Sequence, residues 1–189
     1  MDKCKILNFN KVDIAQLQKE SNMLFDTPGV VHELFRHQIG LTFMDDNCQN
    51  KFQDGVGSLD WDYSKWNHET EKNPPRSDRN ATEKDFSKIV PEIKNMYLGE
   101  IIKNLQTTYN IGRARLMRLT SKTCLTWHYD STPRIHLPII TNDKCFMVWE
   151  NYTKHLEEGI LYQVNTKIPH TAMNASFEER IHIVATVDG

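Results

Sequence analysis

The sequence predicts a mainly β protein, an antiparallel sandwich or barrel with flanking helices and a helical layer at its N-terminus. The first observation is that apolar and β-branched residues recur with a period of two from Ile111 onwards, which is typical of strands. The second is that no helical pattern separates these strands, whereas parallel strands require crossover connections, usually helices. The third is that the chain ahead of Ile111 shows helical periodicity and turn residues instead.

Helical patterns occupy parts of the N-terminal region. Val12–Glu20 is a plausible short helix, and Val30–Gln38 is a weaker candidate. The longest candidate is Thr82–Gln106, whose apolar residues recur at helical spacing. Because Pro91 and Gly99 fall inside it, we expect a kink or two shorter helices there.

The segment Asp45–Arg79 is polar and rich in turn residues, and it carries Trp61, Tyr63 and Trp66. Aromatic side chains in a polar loop usually pin the loop to the body of the protein, although long ordered loops also form lids. We therefore expect an anchored loop, and direct contact of these side chains with a substrate stays open as the alternative.

Short strands are predicted along the rest of the chain. Their spacing, with turns between them, is that of an antiparallel sandwich or barrel. The patterned segments are Arg113–Leu119, Cys124–His128, Arg134–Thr141, Cys145–Glu150, Gly159–Val164 and Arg180–Val187.

The composition excludes several classes of protein. With 189 residues and 22.1 kDa the chain has the size of one domain. A net charge of −2 and a pI of about 6.4 provide no basic surface for nucleic acid or an acidic membrane. Met1–Asn10 lacks the apolar region of a signal peptide and no stretch is apolar enough to span a membrane, so we expect a cytoplasmic protein. Because disulfides are rare in that compartment, we expect the scattered cysteines to be reduced thiols.

Two histidines and an aspartate have the residue types and spacing of a metal site. His128 and Asp130 lie two positions apart, so on an extended chain both side chains point to the same side. His170, farther along the chain, can supply a third ligand from a neighbouring strand. Two histidines and one carboxylate form the facial triad of non-haem Fe(II) oxygenases. Taken alone, a His-x-Asp pair is more often an ordinary surface or turn pair.

Arginine and histidine alternate with apolar residues on two predicted strands. Arg134 and His136 share one face of their strand, and Arg180 and His182 share one face of theirs. Either strand alone could simply expose a polar face to solvent. Together with the possible triad they favour an interior site for a dianionic oxo acid, because a guanidinium matches the geometry of a carboxylate.

Other tempting residues have simpler explanations. We expect Trp127, Phe146 and Trp149 to pack in the core or at its rim rather than to form a substrate cage, and Cys124 and Cys145 to pack. Asn174 is expected either to orient a ligand or to cap a turn. The remaining histidines have no spacing that indicates ligation and are expected to be solvated or locally bonded; they are His32, His37, His68 and His155.

The stretch from Arg113 to Asp188 resembles the aspartyl/asparaginyl β-hydroxylase family of Fe(II)/2-oxoglutarate oxygenases, which includes bacterial proline hydroxylases. The matching motifs, in order along the chain, are His128-x-Asp130, Arg134-x-His136-Leu137-Pro138-Ile139, Cys145-Phe146, Glu158-Gly159, His170 with Asn174, and Arg180-Ile181-His182. Asp130 supplies a carboxylate that vertebrate-type aspartyl hydroxylases lack. This difference favours the proline-hydroxylase-like branch and argues against a halogenase.

The resemblance implies a double-stranded β-helix, the cupin-like jelly roll, that holds Fe(II) through His128, Asp130 and His170. It also implies that Arg180 binds the distal carboxylate of 2-oxoglutarate, and that Arg134 and His136 lie close to this cosubstrate, with His182 on the same side. We expect one domain over residues 1–189. Residues 1–110 would support the barrel and shape the substrate entrance, and residues 111–189 would form the jelly-roll core.

The expected activity is that of a dioxygenase that uses O2 and 2-oxoglutarate to hydroxylate an amino acid, free or within a peptide. Succinate and CO2 are the expected co-products. The alternative is a non-catalytic jelly-roll protein whose arginines capture a carboxylate ligand around a structural metal or none. The substrate's identity and the oligomeric state stay open, and neither nucleic acid nor a membrane is expected as a partner.

Overall fold

The computed structural model describes residues 2–59 and 81–187, and within these ranges most of the chain forms short antiparallel strands. The strands are β1 (Cys4–Ile6), β2 (Gln38–Gly40), β3 (Thr42–Phe43), β4 (Lys88–Ile89), β5 (Ile111–Leu119), β6 (Thr123–Cys124), β7 (Arg134–Ile140), β8 (Cys145–Trp149), β9 (Tyr152–Lys154), β10 (Tyr162–Val164), β11 (His170–Asn174) and β12 (Arg180–Val187). The helices are α1 (Ile14–Asp26), α2 (Lys51–Asp54) and α3 (Tyr97–Tyr109), with 3-10 helices at Glu83–Asp85 and Pro91–Ile93.

Two antiparallel sheets form a jelly roll. The larger sheet has the strand order β1-β10-β7-β12-β5-β2, and the smaller has the order β6-β11-β8-β9. Residues from both sheets make one hydrophobic cluster, in which Met147, Trp149 and Ala172 of the smaller sheet join Tyr162 and Val164 of the larger. The sheets therefore share an interior, and the expected fold class is confirmed.

The larger sheet is covered on its other face by α1 and α3. Ile135, Leu137 and Ile139 of β7 join the hydrophobic core that also contains Leu17 of α1 and Leu105 of α3. Their alternation with Arg134 and His136 is the one that the sequence predicts, so the polar residues of β7 lie on the opposite face, towards the jelly-roll interior.

The central strand β12 is buried along its whole length because it pairs with β5 on one side and with β7 on the other. Val184 stands opposite His136 of β7 and Arg115 of β5. The polar face of β12 is therefore enclosed, and the solvent-exposed alternative for Arg180 and His182 does not hold.

Side chains cap the two long helices. Asp13 caps α1 by accepting the N–H of Gln16, which places the start of the helix two residues later than predicted. At α3, Glu20 of α1 accepts the N–H groups of Tyr97 and Leu98 at 3.1 and 2.7 Å. This carboxylate satisfies free N–H groups of the first turn and fixes α1 against α3.

Two predicted helices differ from the structure. Val30–Gln38 forms a series of turns that leads into β2, because the His32 imidazole accepts the N–H of Leu34 and competes with a helical bond. The helix predicted over Thr82–Gln106 is interrupted, as expected, and only its last part forms an α-helix, α3. The chain begins a 3-10 helix at Pro91 and then folds back so closely that a Cβ on Gly99 would lie 2.1 Å from the carbonyl oxygen of Ile93.

The part of the chain between residues 60 and 80 lies outside the described residues, and so do the predicted contacts of Trp61, Tyr63 and Trp66. Within the described ranges, no helix has both the length and the apolar character needed to cross a membrane.

Candidate metal centre

Backbone pairing places His128 against His170. The N–H of His128 donates to the carbonyl of His170 at 3.0 Å, and the N–H of His170 donates back to the carbonyl of His128 at 2.8 Å. Asp130 is fixed on the same segment by its N–H, which donates to the carbonyl of Thr166 at 2.7 Å. One ligand atom from each of His128, Asp130 and His170 lies within 4.8 Å of the other two. The three side chains could therefore hold one cation between them.

The hydrogen bonds of the two imidazoles determine which nitrogen faces this centre. Nδ1 of His128 lies 2.7 Å from the carbonyl oxygen of Thr126, and Nδ1 of His170 lies 3.0 Å from that of Ile168. Because a carbonyl oxygen only accepts, each Nδ1 carries the hydrogen and each Nε2 keeps its lone pair free. Burial lowers the pKa of His170, which favours the neutral, ligating form. This pattern is the one that orients histidine ligands in metal sites.

Arg134 binds the carboxylate of Asp130 in the candidate metal centre. Its Nε and Nη2 lie 3.2 and 3.0 Å from the two oxygens of Asp130, a fork-to-carboxylate arrangement. Burial alone would raise the pKa of Asp130, but the charge and hydrogen bond of Arg134 outweigh it, with smaller contributions from His128 and His170. The pKa of Asp130 is therefore lowered, and its carboxylate is ionised at neutral pH.

Glu83 is a residue of this site that sequence reasoning missed. It lies on the 3-10 helix Glu83–Asp85, and its carboxylate contacts both Arg113 and Arg134. Its neighbours Thr82 and Asp85 have the spacing of a helix cap, and Asp85 accepts the N–H and hydroxyl of Thr82. Nothing in the sequence relates Glu83 to an arginine so far along the chain.

Arg180, His182 and His136 form a second buried group in the interior. Nη2 of Arg180 lies 2.9 Å from Nδ1 of His182 and 3.9 Å from the sulfur of Met147. Since the guanidinium only donates, Nδ1 of His182 is the acceptor and the hydrogen sits on Nε2. Among the described residues this buried Nε2 has no hydrogen-bond partner. Nδ1 of His136 lies 3.4 Å from Nδ1 of His182.

The electrostatics of this group link it to the metal centre. Burial lowers the pKa of both His136 and His182 well below 6.5, and the nearby Arg180 cation lowers both further. The charges acting on His136 also include those of His170, Asp130 and Arg134. His136 therefore lies close enough to both groups to feel the charges of each. Burial also lowers the pKa of Arg180 to about 10, which leaves it a cation at neutral pH.

Asn174 caps a turn, and no contact of its side chain reaches the three candidate ligands. Its Nδ2 donates to the carbonyl oxygens of Leu119, Thr120 and Glu178, while its Oδ1 accepts the N–H and hydroxyl of Ser176. Of the two roles expected for Asn174, orienting a ligand or capping a turn, its contacts are those of a turn cap.

Packing was predicted correctly for Cys145 and Trp149, which are buried, and Phe146 is half-buried. It was wrong for Cys124, which is exposed, while Trp127, whose exposed fraction is 51%, lies outside the core. Because His128 and Asp130 face the centre, the alternation of side chains directs Trp127 towards solvent.

The other histidines are bonded locally. His32 accepts the N–H of Leu34, His155 contacts the carbonyl oxygen of Cys145, and His37 contacts the amide of Gln38. None of these three belongs to the cluster of possible metal ligands among the described residues. His68 lies outside those residues.

Solved structures that match part of this chain include a cupin-domain protein from Bordetella pertussis, at 18% identity and a TM-score of 0.36 over 41% of this chain and 81% of that one. AerE from Microcystis aeruginosa is 21% identical, with a TM-score of 0.35 over 41% of this chain and 36% of its own. A 2OG-Fe(II) oxygenase family oxidoreductase from Burkholderia pseudomallei is 12% identical, with a TM-score of 0.42 over 52% of this chain and 60% of that one.

A family model provides the assignment. The model described as aspartyl/asparaginyl beta-hydroxylase matches residues 77–188, which include β5 to β12 and all three candidate ligands. The match also includes Glu83, Arg134, Arg180 and His182. The chain therefore belongs to the aspartyl/asparaginyl beta-hydroxylase family, as its motifs predicted, and is a hydroxylase-type oxygenase.

Proposed function

We propose that the protein is an Fe(II)- and 2-oxoglutarate-dependent dioxygenase that hydroxylates an amino acid, free or within a peptide, and releases succinate and CO2. The observation that carries this proposal is the convergence of His128, Asp130 and His170 within 4.8 Å of one another. Two neutral imidazoles and one carboxylate are the ligand set of non-haem Fe(II) oxygenases, and they leave coordination positions open for cosubstrate and O2.

The chain's own groups suit Fe(II) at this position. His128 and His170 present Nε2 because their Nδ1 atoms bond backbone carbonyls, and Asp130 stays anionic because Arg134 lowers its pKa. When bound, Fe(II) would supply the O2 chemistry that side chains lack. The protein would contribute the ligand geometry, and the pairing of Trp149 with His170 joins the centre to the buried hydrophobic cluster of the jelly roll.

Arg180 and His182 suit the distal carboxylate of 2-oxoglutarate. Arg180 is buried, with an exposed fraction of 3%, and its hydrogen-bond contacts among the described residues are the neutral groups of His182 and Met147. A buried cation is stabilised by an anionic partner, and a carboxylate can accept from the guanidinium and from Nε2 of His182 together. His136, whose Nδ1 lies 3.4 Å from that of His182, would lie close to the cosubstrate.

The test is anaerobic titration of the purified protein with Fe(II) and then 2-oxoglutarate, followed by admission of O2 and measurement of succinate. We expect binding of both, and succinate formation that stops in His128→Ala and Asp130→Ala. His32→Ala is the control because His32 bonds only locally, and it should retain turnover. A wild-type protein with no metal affinity and no succinate formation would contradict the proposal and favour a non-catalytic carboxylate binder.

The substrate class is tested separately by incubating the iron-loaded protein with individual amino acids and with peptides. A product heavier by one oxygen atom identifies the substrate. Succinate formation that no amino acid or peptide stimulates, with no oxygenated product, would contradict the substrate part of the proposal alone.

A further inference from the structure

Glu83 reaches the interior because its backbone packs directly on β5. A Cβ at Gly112 would lie 2.4 Å from the carbonyl oxygen of Glu83, so only glycine allows this approach. The Glu83 side chain is 13% exposed, and those of Arg113 and Arg134 are each 4% exposed. The 3-10 helix thus inserts a carboxylate between two buried guanidinium groups.

The contacts of Glu83 are extensive. Oε1 accepts from Nη2 of Arg113 at 2.6 Å and from Nη2 of Arg134 at 3.1 Å. Oε2 accepts from Nη1 of Arg134 and lies 3.4 Å from the hydroxyl of Thr132. Burial alone would raise the pKa of Glu83, but the charges of Arg113 and Arg134 and the hydrogen bond of Arg134 lower it. Glu83 is therefore ionised and makes a buried, charge-assisted pair with each arginine.

Arg134 connects Glu83 to the metal centre. One edge of its guanidinium, Nε and Nη2, holds the carboxylate of Asp130, and the other edge, Nη1 and Nη2, holds Glu83. Each of the three guanidinium nitrogens thus has a carboxylate partner. Because the group is planar and rigid, fixing one edge also fixes the direction of the other.

We propose that Glu83 is a positioning residue for the metal centre, which acts through Arg134 to orient the Asp130 ligand and to offset guanidinium charge beside the bound cation. The inference rests on the proposed metal site. Without Glu83, two buried arginines would face each other, and Arg134 would act on Asp130 as an unbalanced cation. Both changes oppose a divalent cation at Asp130, one by misplacing the ligand and the other by direct repulsion.

The experiment compares Mn(II) affinity of the metal-free protein, measured by calorimetry without O2 or 2-oxoglutarate, in wild type and in Glu83→Gln. Partners that orient metal ligands typically contribute about 10–100-fold in affinity, and we expect a loss in this range. Asp85→Asn is the matched control, because Asp85 caps the same 3-10 helix but faces solvent. It should leave Mn(II) affinity unchanged.

A double-mutant cycle separates positioning from general stability. If Glu83 acts through Arg134, Glu83→Gln should have almost no further effect on Mn(II) affinity in an Arg134→Met background. At saturating Co(II), the visible spectrum of Glu83→Gln should differ from that of wild type, because the carboxylate ligand is displaced. If Glu83→Gln does not fold, Glu83→Asp, which keeps the charge but shortens the reach, should show a smaller loss of affinity than the removal of Arg134.

Equal Mn(II) affinity in wild type and folded Glu83→Gln, or in Glu83→Asp if Glu83→Gln does not fold, would overturn the inference. An undiminished effect of Glu83→Gln in the Arg134→Met background would also overturn it. Absence of Mn(II) binding in the wild-type protein would instead refute the metal site itself, so failure of the two proposals gives different results.

Discussion

Replacing Arg180 with methionine should make the ligand-free protein more stable while weakening its binding of 2-oxoglutarate. Burial lowers the pKa of Arg180 to about 10, well below its ordinary value, and one pKa unit corresponds to about 1.4 kcal/mol, so burying this charge costs about 3 kcal/mol. The hydrogen bond of Arg180 to His182 offsets about 1–2 kcal/mol of this unfavourable free energy. Methionine has a similar shape and no charge, so we expect a gain of about 1–2 kcal/mol in the free energy of unfolding.

Binding should change in the opposite direction. Truncating one partner of a buried charge pair costs about 2–5 kcal/mol, so the Kd for 2-oxoglutarate should rise by roughly 30-fold or more. For a chain of this size, the gain in stability corresponds to a rise in Tm of roughly 2–8 °C. The assay is thermal unfolding of the metal-loaded and metal-free protein, with and without 2-oxoglutarate, under anaerobic conditions. Wild type should gain stability from the cosubstrate, and Arg180→Met should gain little.

Arg118→Met is the matched control. Arg118 lies on the neighbouring strand β5, and its guanidinium stacks on Phe25 and faces Glu179 at the surface. This substitution should leave 2-oxoglutarate affinity unchanged and should not raise stability. Ligand-free Arg180→Met that is less stable than wild type, or that binds 2-oxoglutarate with wild-type affinity, would refute the reasoning.

Three further substitutions test the fold and its electrostatics. Asn174→Ala should lower the free energy of unfolding by about 3 kcal/mol in urea denaturation, because the carbonyl groups of Leu119 and Glu178 and the hydroxyl of Ser176 lose their hydrogen-bond partner. A loss below about 1 kcal/mol would contradict this expectation. Glu20→Ala should cost about 2 kcal/mol by the same measurement because it uncaps α3, and an unchanged midpoint would argue against that role. The pKa values of His136 and His182 are lowered in the folded protein, so the unfolded chain binds more protons than the folded one. The free energy of unfolding therefore falls as the pH drops below 6.5, by up to about 1.4 kcal/mol per pH unit for each histidine. His182→Asn should reduce this slope between pH 6.5 and 5, and an identical slope would exclude His182 as a source.

The long strands could be predicted from the sequence because their residues alternate strongly. β12 was predicted with its observed bounds, and β5 and β7 within two residues. The short strands were harder, and β11, which begins at the candidate ligand His170, has no strong pattern of its own. It is held by pairing with β8 and β6, and such pairing outweighs intrinsic preference in short strands. His170 was nevertheless expected on a neighbouring strand from its residue type.

The interior group around Arg180 was only partly predictable. Alternation shows that Arg180 and His182 share a face, but a solvent-exposed face has the same pattern as an enclosed one. Burial of β12 between β5 and β7 decided between them. Arg134 was expected near the cosubstrate, and the structure shows it bonded to two carboxylates, Asp130 and Glu83.

The sequence by itself determined which side chains share a face and which residue types can hold a metal, because side-chain direction follows from the period of a strand. His128, Asp130, His136 and Arg180 could be selected in this way before any contact was known. Only the tertiary structure decided that Glu83 meets Arg134, and that His128 and His170 each bond a backbone carbonyl through Nδ1 and so leave Nε2 free. Those contacts join residues from separate turns and strands, and their distances depend on how the whole chain packs rather than on any local pattern.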